Sequence, residues 1–561
     1  MFLKLTTVTL LIVAVVCLSV AVLTSNASIE RTLLGQADGR LTWGPVLFRG
    51  LLVFHGLVGI GLVVRLFRSR FPKIAGVERA AVSTPPAVWL AMCSLTLLAV
   101  VLRGWKLGSC LWLDEVLTLV NYVRHPITSI ITLFPDQNQH MFYSVLARAS
   151  VVTFGESAAA IRVPAVIFGV ASIWALFLLG RRIVGTREAL LACALMTVSY
   201  HHVWFSQNAR GYTGLLCFTL LSTGFFLRGV REGAWLLWVG YGVSMILGLW
   251  THVTMAFVAL SHAAVYAWLL ISTLGRTHRW RPFLALVLTA TLTLQLYALS
   301  LPAFLGSALH ESSRPSAWTN PLWALREAIA AFGIGTRGIV ILSAGGILFL
   351  VGLGGLWKKD RLFVALLVLP VTVCLVTVLA MGGNLWPRWF FFALGQILLV
   401  AVHGVVVVIT VATRIVTSEA RRPLWAGRLV ATAAVLMLVV SSAMLPRCYR
   451  LPKQDYIGAR DFVRTQRGID DSVLVVGLAA LPYLTYYAPD WETAETTDEL
   501  RARQSDAGST WLLYAFPTHM EAFLPALWEA VQSDFDVIRV FPGTLGSGEV
   551  YVCRRASGRK T

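Results

Sequence analysis

Apolar runs of roughly 20 residues, separated by short polar stretches, fill the chain from its start to about residue 445. Each run is long enough to cross about 30 Å of hydrocarbon as a helix. About thirteen can be marked, near 7–24, 46–66, 86–103, 160–180, 188–205, 211–228, 234–250, 253–273, 282–303, 337–356, 362–381, 389–412 and 427–445. They predict an all-α polytopic membrane bundle. The pattern changes at Pro446. A charged helix-like stretch, Asp455–Arg467, leads to strand-like runs at Ser472–Leu478, Thr510–Ala515, Val537–Phe541 and Val550–Cys553, with a helix predicted over Met520–Gln532. Strands alternating with helices predict a small α/β domain. The chain therefore divides into two N-terminal spans with a basic loop (1–85), a membrane core with a long first loop at 104–159 (86–445), and a tail domain (446–561).

Composition agrees with a membrane chain. Of the 561 residues, 57% are hydrophobic and 13% charged, against about 25% charged in soluble domains. The formal net charge is +19, a balance that in other settings points to nucleic acid. Here the cations sit in short clusters between apolar runs: Arg65, Arg68, Arg70, Lys73 and Arg79; Arg181, Arg182 and Arg187; Arg228 and Arg231; Arg276, Arg279 and Arg281; Lys358, Lys359 and Arg361; Arg414, Arg421, Arg422 and Arg428. They occupy alternate loops, the positive-inside pattern, so nucleic acid is not an expected partner. That pattern predicts a multi-pass protein of the plasma (inner) membrane, with a cytoplasmic N-terminus and an exterior, periplasmic tail domain. The first apolar run is expected to be a retained span, not a cleaved signal peptide. The cysteines show no CxxC or Cys/His metal spacing.

The spans hold almost no Asp or Glu, where ion-coupled transporters usually bury carboxylates. Polar groups gather instead where spans meet the outer face. Leu111-Trp112-Leu113-Asp114-Glu115 follows the third run. A carboxylate there could take a proton from an acceptor hydroxyl, or Asp114 could simply cap the helix that follows. Asp136-Gln137-Asn138-Gln139-His140 comes later in the same loop. Asp136, Asn138 and His140 could hold sugar hydroxyls; Asp136 and His140 could also hold a divalent metal, but two such groups do not make a metal site, and no cofactor is certain. Ser206-Gln207-Asn208-Ala209-Arg210-Gly211-Tyr212 forms a short turn between runs, and Asn384-Leu385-Trp386-Pro387-Arg388-Trp389 opens a late one. Arg210 and Arg388 suit a phosphate through their planar fork of donors, or they snorkel to headgroups. His310, Glu311 and Arg314 offer a weaker acceptor contact.

An ordered set of segments carries a family likeness: LWLDE (111–115), DQNQHMFYSVLAR (136–148), FGESAAAIRVPAVIFG (154–169), LGRRIVGTREALLACAL (179–195) and SQNARGY (206–212). In them the chain resembles the GT-C superfamily of glycosyltransferases. More closely, it resembles bacterial relatives of protein O-mannosyltransferases and of the lipid A aminoarabinose transferase. The likeness covers roughly 86–230 well and the rest in layout. It implies an inverting transfer of a monosaccharide from a polyprenyl-phosphate carrier on the exterior face. It also implies that Asp114 is the essential acidic residue and base, with Glu115 its catalytic neighbour. Arg210 with Tyr212, and Arg388, would then lie at the carrier phosphate. The chain departs from the family pattern after His140, where Met141-Phe142-Tyr143 replaces a Pro-Pro-Leu-Tyr-Tyr run, and in two spans ahead of the usual first one. The acceptor class stays open between glycolipid, polysaccharide and protein. The rival classes are a transporter of lipid-linked substrates and a non-catalytic scaffold.

Overall fold

The computed structural model describes residues 2–34, 43–68, 85–134, 136, 138–272, 280–311, 338–381, 385–504 and 508–555. Arg70, Lys73, Arg79, Arg276, Arg279, Arg314, Gln137 and Asn384 lie outside them, as do the side chains of Arg68, His310 and Glu311. A helix overlies every one of the apolar runs, as it must where no water is present to satisfy backbone groups. Among the described residues seven helices are long and apolar enough to cross a membrane: Gly44–Leu66, Pro86–Gly104, Ala158–Ile183, Tyr212–Glu232, Arg361–Ala380, Pro387–Val416 and Arg422–Arg450. The bent pair Thr7–Leu23 and Asn26–Leu33, turned by 102° at its break, would make an eighth. The protein is a multi-pass membrane protein.

Two of the predicted spans are broken. The 188–205 run folds as Thr186–Thr197 and Tyr200–Ser206. Ser199 stands at the break, where its hydroxyl accepts the His202 N–H and starts the second helix. The 282–303 run folds as Trp280–Tyr297 and Leu301–Glu311. Elsewhere small residues let helices touch. A Cβ on Gly404 would meet the Leu348 carbonyl oxygen at 1.8 Å, and one on Gly352 the Val400 oxygen at 2.0 Å. The Gly338–Lys359 and Leu394–Val416 helices therefore cross backbone to backbone.

The tail contains a five-stranded sheet: β1 Ser472–Val475, β2 Glu492–Thr493, β3 Thr510–Ala515, β4 Phe535–Phe541 and β5 Val550–Arg555. Its order is β2-β1-β3-β5-β4. The pairs β1–β2 and β1–β3 are parallel, and β3–β5 and β4–β5 antiparallel. The central strand β3 is buried throughout. One face of the sheet packs Leu474, Leu512 and Tyr514 against Met520, Leu527 and Val531. The other joins Val473, Trp511 and Tyr483 to Leu111, Val116, Tyr143 and Ala209 in one apolar core. The first loop and the tail thus fold as one body over one end of the bundle. Arg162, near the start of the Ala158–Ile183 helix, is at that end. Arg182 comes twenty residues later, about 30 Å along the axis and roughly one hydrocarbon thickness away. Cys448 and Cys553 are both free.

Candidate active site

Asp114 and Glu115 lie in the first turn of the short helix Leu113–Thr118. Consecutive helical residues point about 100° apart, and these two meet different surroundings. Glu115 has no exposed surface. Arg162 grips it with both arms, Nε to Oε1 at 2.7 Å and Nη2 to Oε2 at 2.6 Å. The Ala209 N–H donates to Oε1 at 2.7 Å and the Trp112 N–H to Oε2 at 3.3 Å. The Lys453 ammonium stands 3.9 Å from Oε2. Burial alone would raise the Glu115 carboxyl, but Arg162 and Lys453 together hold it below its ordinary range. Arg162 also donates to the Leu107, Ser109 and Cys110 carbonyls. The pair thus fastens the first loop to the turn that carries Arg210.

Asp114 meets two arginines. Its Oδ2 lies 3.3 Å from Arg388 Nη1 and 3.5 Å from Arg210 Nη1. The Asp114 side chain is 15% exposed, that of Arg388 34% and that of Arg210 5%. Neither Nε nor Nη1 of the buried Arg210 makes a hydrogen bond. The neighbouring Asn208 accepts the Trp112 indole N–H at 3.0 Å, a second fastening of the turn to the loop.

His140 and Tyr212 line the same region. The Gly211 N–H donates to His140 Nδ1 at 3.1 Å, which leaves the ring proton on Nε2. Burial, followed by the charges of Arg210, His252 and Arg388, keeps His140 well below its ordinary pKa, so the ring is neutral. A Cβ on Gly211 would fall 2.6 Å from His140 Nδ1 and 2.7 Å from the Thr251 oxygen, so only glycine fits. The Tyr212 ring lies 5.6 Å from His140 and 4.9 Å from His252. His252 stands between the helices Trp235–Thr251 and Met255–Ile271. Its Nδ1 accepts the Thr254 N–H at 3.2 Å, and its buried Nε2 has no partner.

Asp136 and Asn138 are braces rather than free ligands in this arrangement. Asp136 Oδ1 accepts the Tyr122 hydroxyl at 2.6 Å and the Asn138 N–H at 2.7 Å. Asn138 Nδ2 donates to the Asp114 carbonyl at 3.2 Å, so it touches the backbone of Asp114 and not its carboxylate. The structure therefore brings Asp114, Arg210, Arg388, His140 and Tyr212 together, with Asp136 and Asn138 behind them. Among the described residues no three His, Cys, Asp or Glu side chains gather as ligands for a metal ion. His252, Arg162 and Lys453 belong to the arrangement without having been singled out from sequence. An arginine inside the apolar run AAAIRVPAV was the one available signal, since a charge there is costly without a partner.

Residues 139–301 match the family of dolichyl-phosphate-mannose-protein mannosyltransferases. The likeness to protein mannosyltransferases read from the sequence is thereby shown for that segment. The mannosyltransferase-like segment carries His140, Arg162, Arg210, Tyr212 and His252, while Asp114, Arg388 and the tail fall outside it. No curated protein matches the chain. Among solved structures, the chain is similar to ArnT from Cupriavidus metallidurans bound to undecaprenyl phosphate, at 11% identity over 85% of this chain and 99% of that one, with a TM-score of 0.46. It is also similar to the oligosaccharyltransferase AglB from Archaeoglobus fulgidus in complex with an inhibitory peptide and a dolichol-phosphate (11% identity, 85% of this chain and 75% of that, TM-score 0.46). A third is the arabinosyltransferase EmbB from Mycobacterium smegmatis (13% identity, 76% and 47%, TM-score 0.43).

Proposed function

We propose that the protein is a GT-C-type glycosyltransferase that moves a monosaccharide from a polyprenyl-phosphate carrier to an acceptor hydroxyl on the exterior face of the membrane, with inversion. About thirteen spans carry the site, and the basic ends of the helices face the cytoplasm. The observation that carries the reading is the seat around Asp114: a carboxylate between two arginines, one of them buried with Nε and Nη1 unbonded. Buried guanidinium donors without partners are costly unless an anion completes them. A carrier phosphate fits that need. His252 Nε2 adds a neutral donor beside it.

The chemistry follows from charge. The phosphate takes over Arg210 and Arg388 from Asp114, which frees the carboxylate to accept the acceptor's hydroxyl proton. The acceptor oxygen then attacks the anomeric carbon, the carbon–phosphate oxygen bond breaks, and the polyprenyl phosphate leaves as an anion stabilised by the arginines. No acid is needed on the leaving side. Glu115 serves by position, since its oxygens are engaged and buried. The match of residues 139–301 to mannosyltransferases that use a lipid-linked phosphate sugar supports the donor class. With the site on the exterior face, as the basic loops suggest, nucleotide sugars are not expected as donors.

The test is transfer from a panel of synthetic polyprenyl-phospho-sugars in proteoliposomes, wild type beside Asp114→Asn. Loss of about 10²- to 10⁴-fold in turnover in the variant is expected of a missing general base. Transfer that survives Asp114→Asn would remove Asp114 from the chemistry. Equal binding or movement of the lipid by both proteins, with no transfer by either, would point to transport or scaffolding.

A further inference from the structure

The tail meets the loop that carries Asp114 through Tyr487, whose hydroxyl donates to the Leu111 carbonyl at 2.8 Å, and reaches both the loop and the Arg210 turn through one dipeptide. Lys453 and Gln454 precede the helix Tyr456–Gln466 and are buried, with 7% and 0% of their surfaces exposed. Gln454 Oε1 accepts the N–H of Leu113, the residue before Asp114, at 3.0 Å. Its Nε2 donates to the Gly548 carbonyl at 3.0 Å, in the loop between β4 and β5. The Lys453 ammonium donates to the Gln207 carbonyl, in the turn that carries Arg210. It also lies 5.3 Å from the Trp204 ring centre. The dipeptide's backbone is pinned from behind. The Thr544 N–H donates to the Pro452 carbonyl at 2.9 Å and the Leu545 N–H to the Lys453 carbonyl at 3.1 Å. Gly543 lies so close that a Cβ there would meet the Lys453 oxygen at 2.2 Å.

These contacts bridge two segments far apart in sequence, and the functional pair depends on them. Asp114 sits on the first loop and Arg210 on a turn between two helices. The first N–H groups of a helix have no partner inside it, so the Leu113 N–H must be met by something, and a tail side chain meets it. We propose that Lys453 and Gln454 are positioning residues that fix the distance between Asp114 and Arg210, so that the tail domain completes the active site. This rests on the group-transfer reading of the site. Trp112–Asn208, Glu115–Ala209 and His140–Gly211 hold the same two segments from within the 86–445 core. The dipeptide adds a further fastening, and it is the one the tail controls.

Lys453→Met and Gln454→Met keep side-chain length while removing the polar contacts. The experiment compares the full-length variants with wild type and Asp114→Asn in proteoliposomes, with a polyprenyl-phospho-sugar donor. Hydrogen exchange is followed on the same proteins. Both variants should lose about tenfold or more in kcat, with KM for the donor within about threefold of wild type. Peptides over 111–118 and 206–212 should exchange faster while β1 and β3 stay protected. Wild-type kcat in both variants would overturn the proposal. Faster exchange through β1 and β3 in both would also overturn it, because the dipeptide would then be holding the tail together and not the site. A wild type that turns over no donor defeats the transferase reading alone. The exchange measurement then decides the positioning role by itself.

Discussion

Two adjacent carboxylates, Asp114 and Glu115, have different partners because the helix turns them toward different neighbours. Glu115 meets Arg162, with both side chains fully buried. A buried pair contributes little net stability when made, yet removing one partner leaves an unsatisfied charge and costs about 3–5 kcal/mol. Arg162→Met should therefore lower the stability of the detergent-solubilised protein by about that amount, whereas Asp114→Asn, which keeps its shape at a partly exposed position beside the one-third-exposed Arg388, should cost less. Denaturant unfolding of the two variants checks the contrast; an Asp114→Asn protein as unstable as Arg162→Met would remove the division of labour. The sequence displayed both carboxylates and both arginines, Arg210 and Arg388, that flank Asp114. It could not separate the surroundings of Asp114 and Glu115, because the deciding partners lie 47 and 94 residues further along the chain. Asp136 and Asn138 were legible as polar loop residues near the site. Their role as braces depends on Tyr122 and on a carbonyl, neither of which a motif displays.

At the scale of elements, the apolar runs were legible because the bilayer leaves a 20-residue apolar segment no conformation but a helix. The tail strands were legible from β-branched and aromatic runs between turn residues. The breaks were not. One serine ends the 188–205 run, and composition does not distinguish it from a tolerated polar residue. The same holds for His252, which sits at the joint between two helices in a stretch that reads as two ordinary spans. Its placement has a consequence, since the Thr254 N–H on Nδ1 puts the ring proton on Nε2, in a ring 4.9 Å from Tyr212 and within the field of Arg210 and Arg388. A hydrogen bond to a charged group contributes about 1.5–3 kcal/mol. His252→Phe should accordingly weaken binding of polyprenyl phosphate by about 10- to 100-fold, and should also lower stability by about 1–3 kcal/mol, because losing Nδ1 leaves the buried Thr254 N–H without its acceptor. Calorimetric titration with the lipid phosphate reads the difference, and unchanged affinity would take His252 out of the anion seat.

At the scale of the whole molecule, the question is what holds the tail against the bundle, and a buried lysine makes the answer depend on pH. Free of the interface, Lys453 would titrate near its ordinary 10.5; in place, burial draws it down to about 7, with Glu115 opposing and Arg162 reinforcing the fall. Between those values the undocked state binds a proton that the docked state does not. Raising the pH through that interval therefore favours docking. Glu115, held below its ordinary range, stays charged across the whole interval and adds no slope of its own. Cys110 works the other way. Burial under the tail raises its thiol above the ordinary 9.0, with the Tyr487 hydroxyl opposing, so alkali above about pH 9 favours release. The interface should thus firm up to about pH 9 and gain nothing further up to about 10.5, where the two effects cancel. The protection of peptides 111–118 and 206–212, and the thermal midpoint, should rise from pH 7 to pH 9 in the wild type. They should stay flat in Lys453→Met, whose side chain carries no proton to release. A wild-type protein that loosens over this interval, or a variant that rises in step with it, would show that the lysine is not what links the tail to the site.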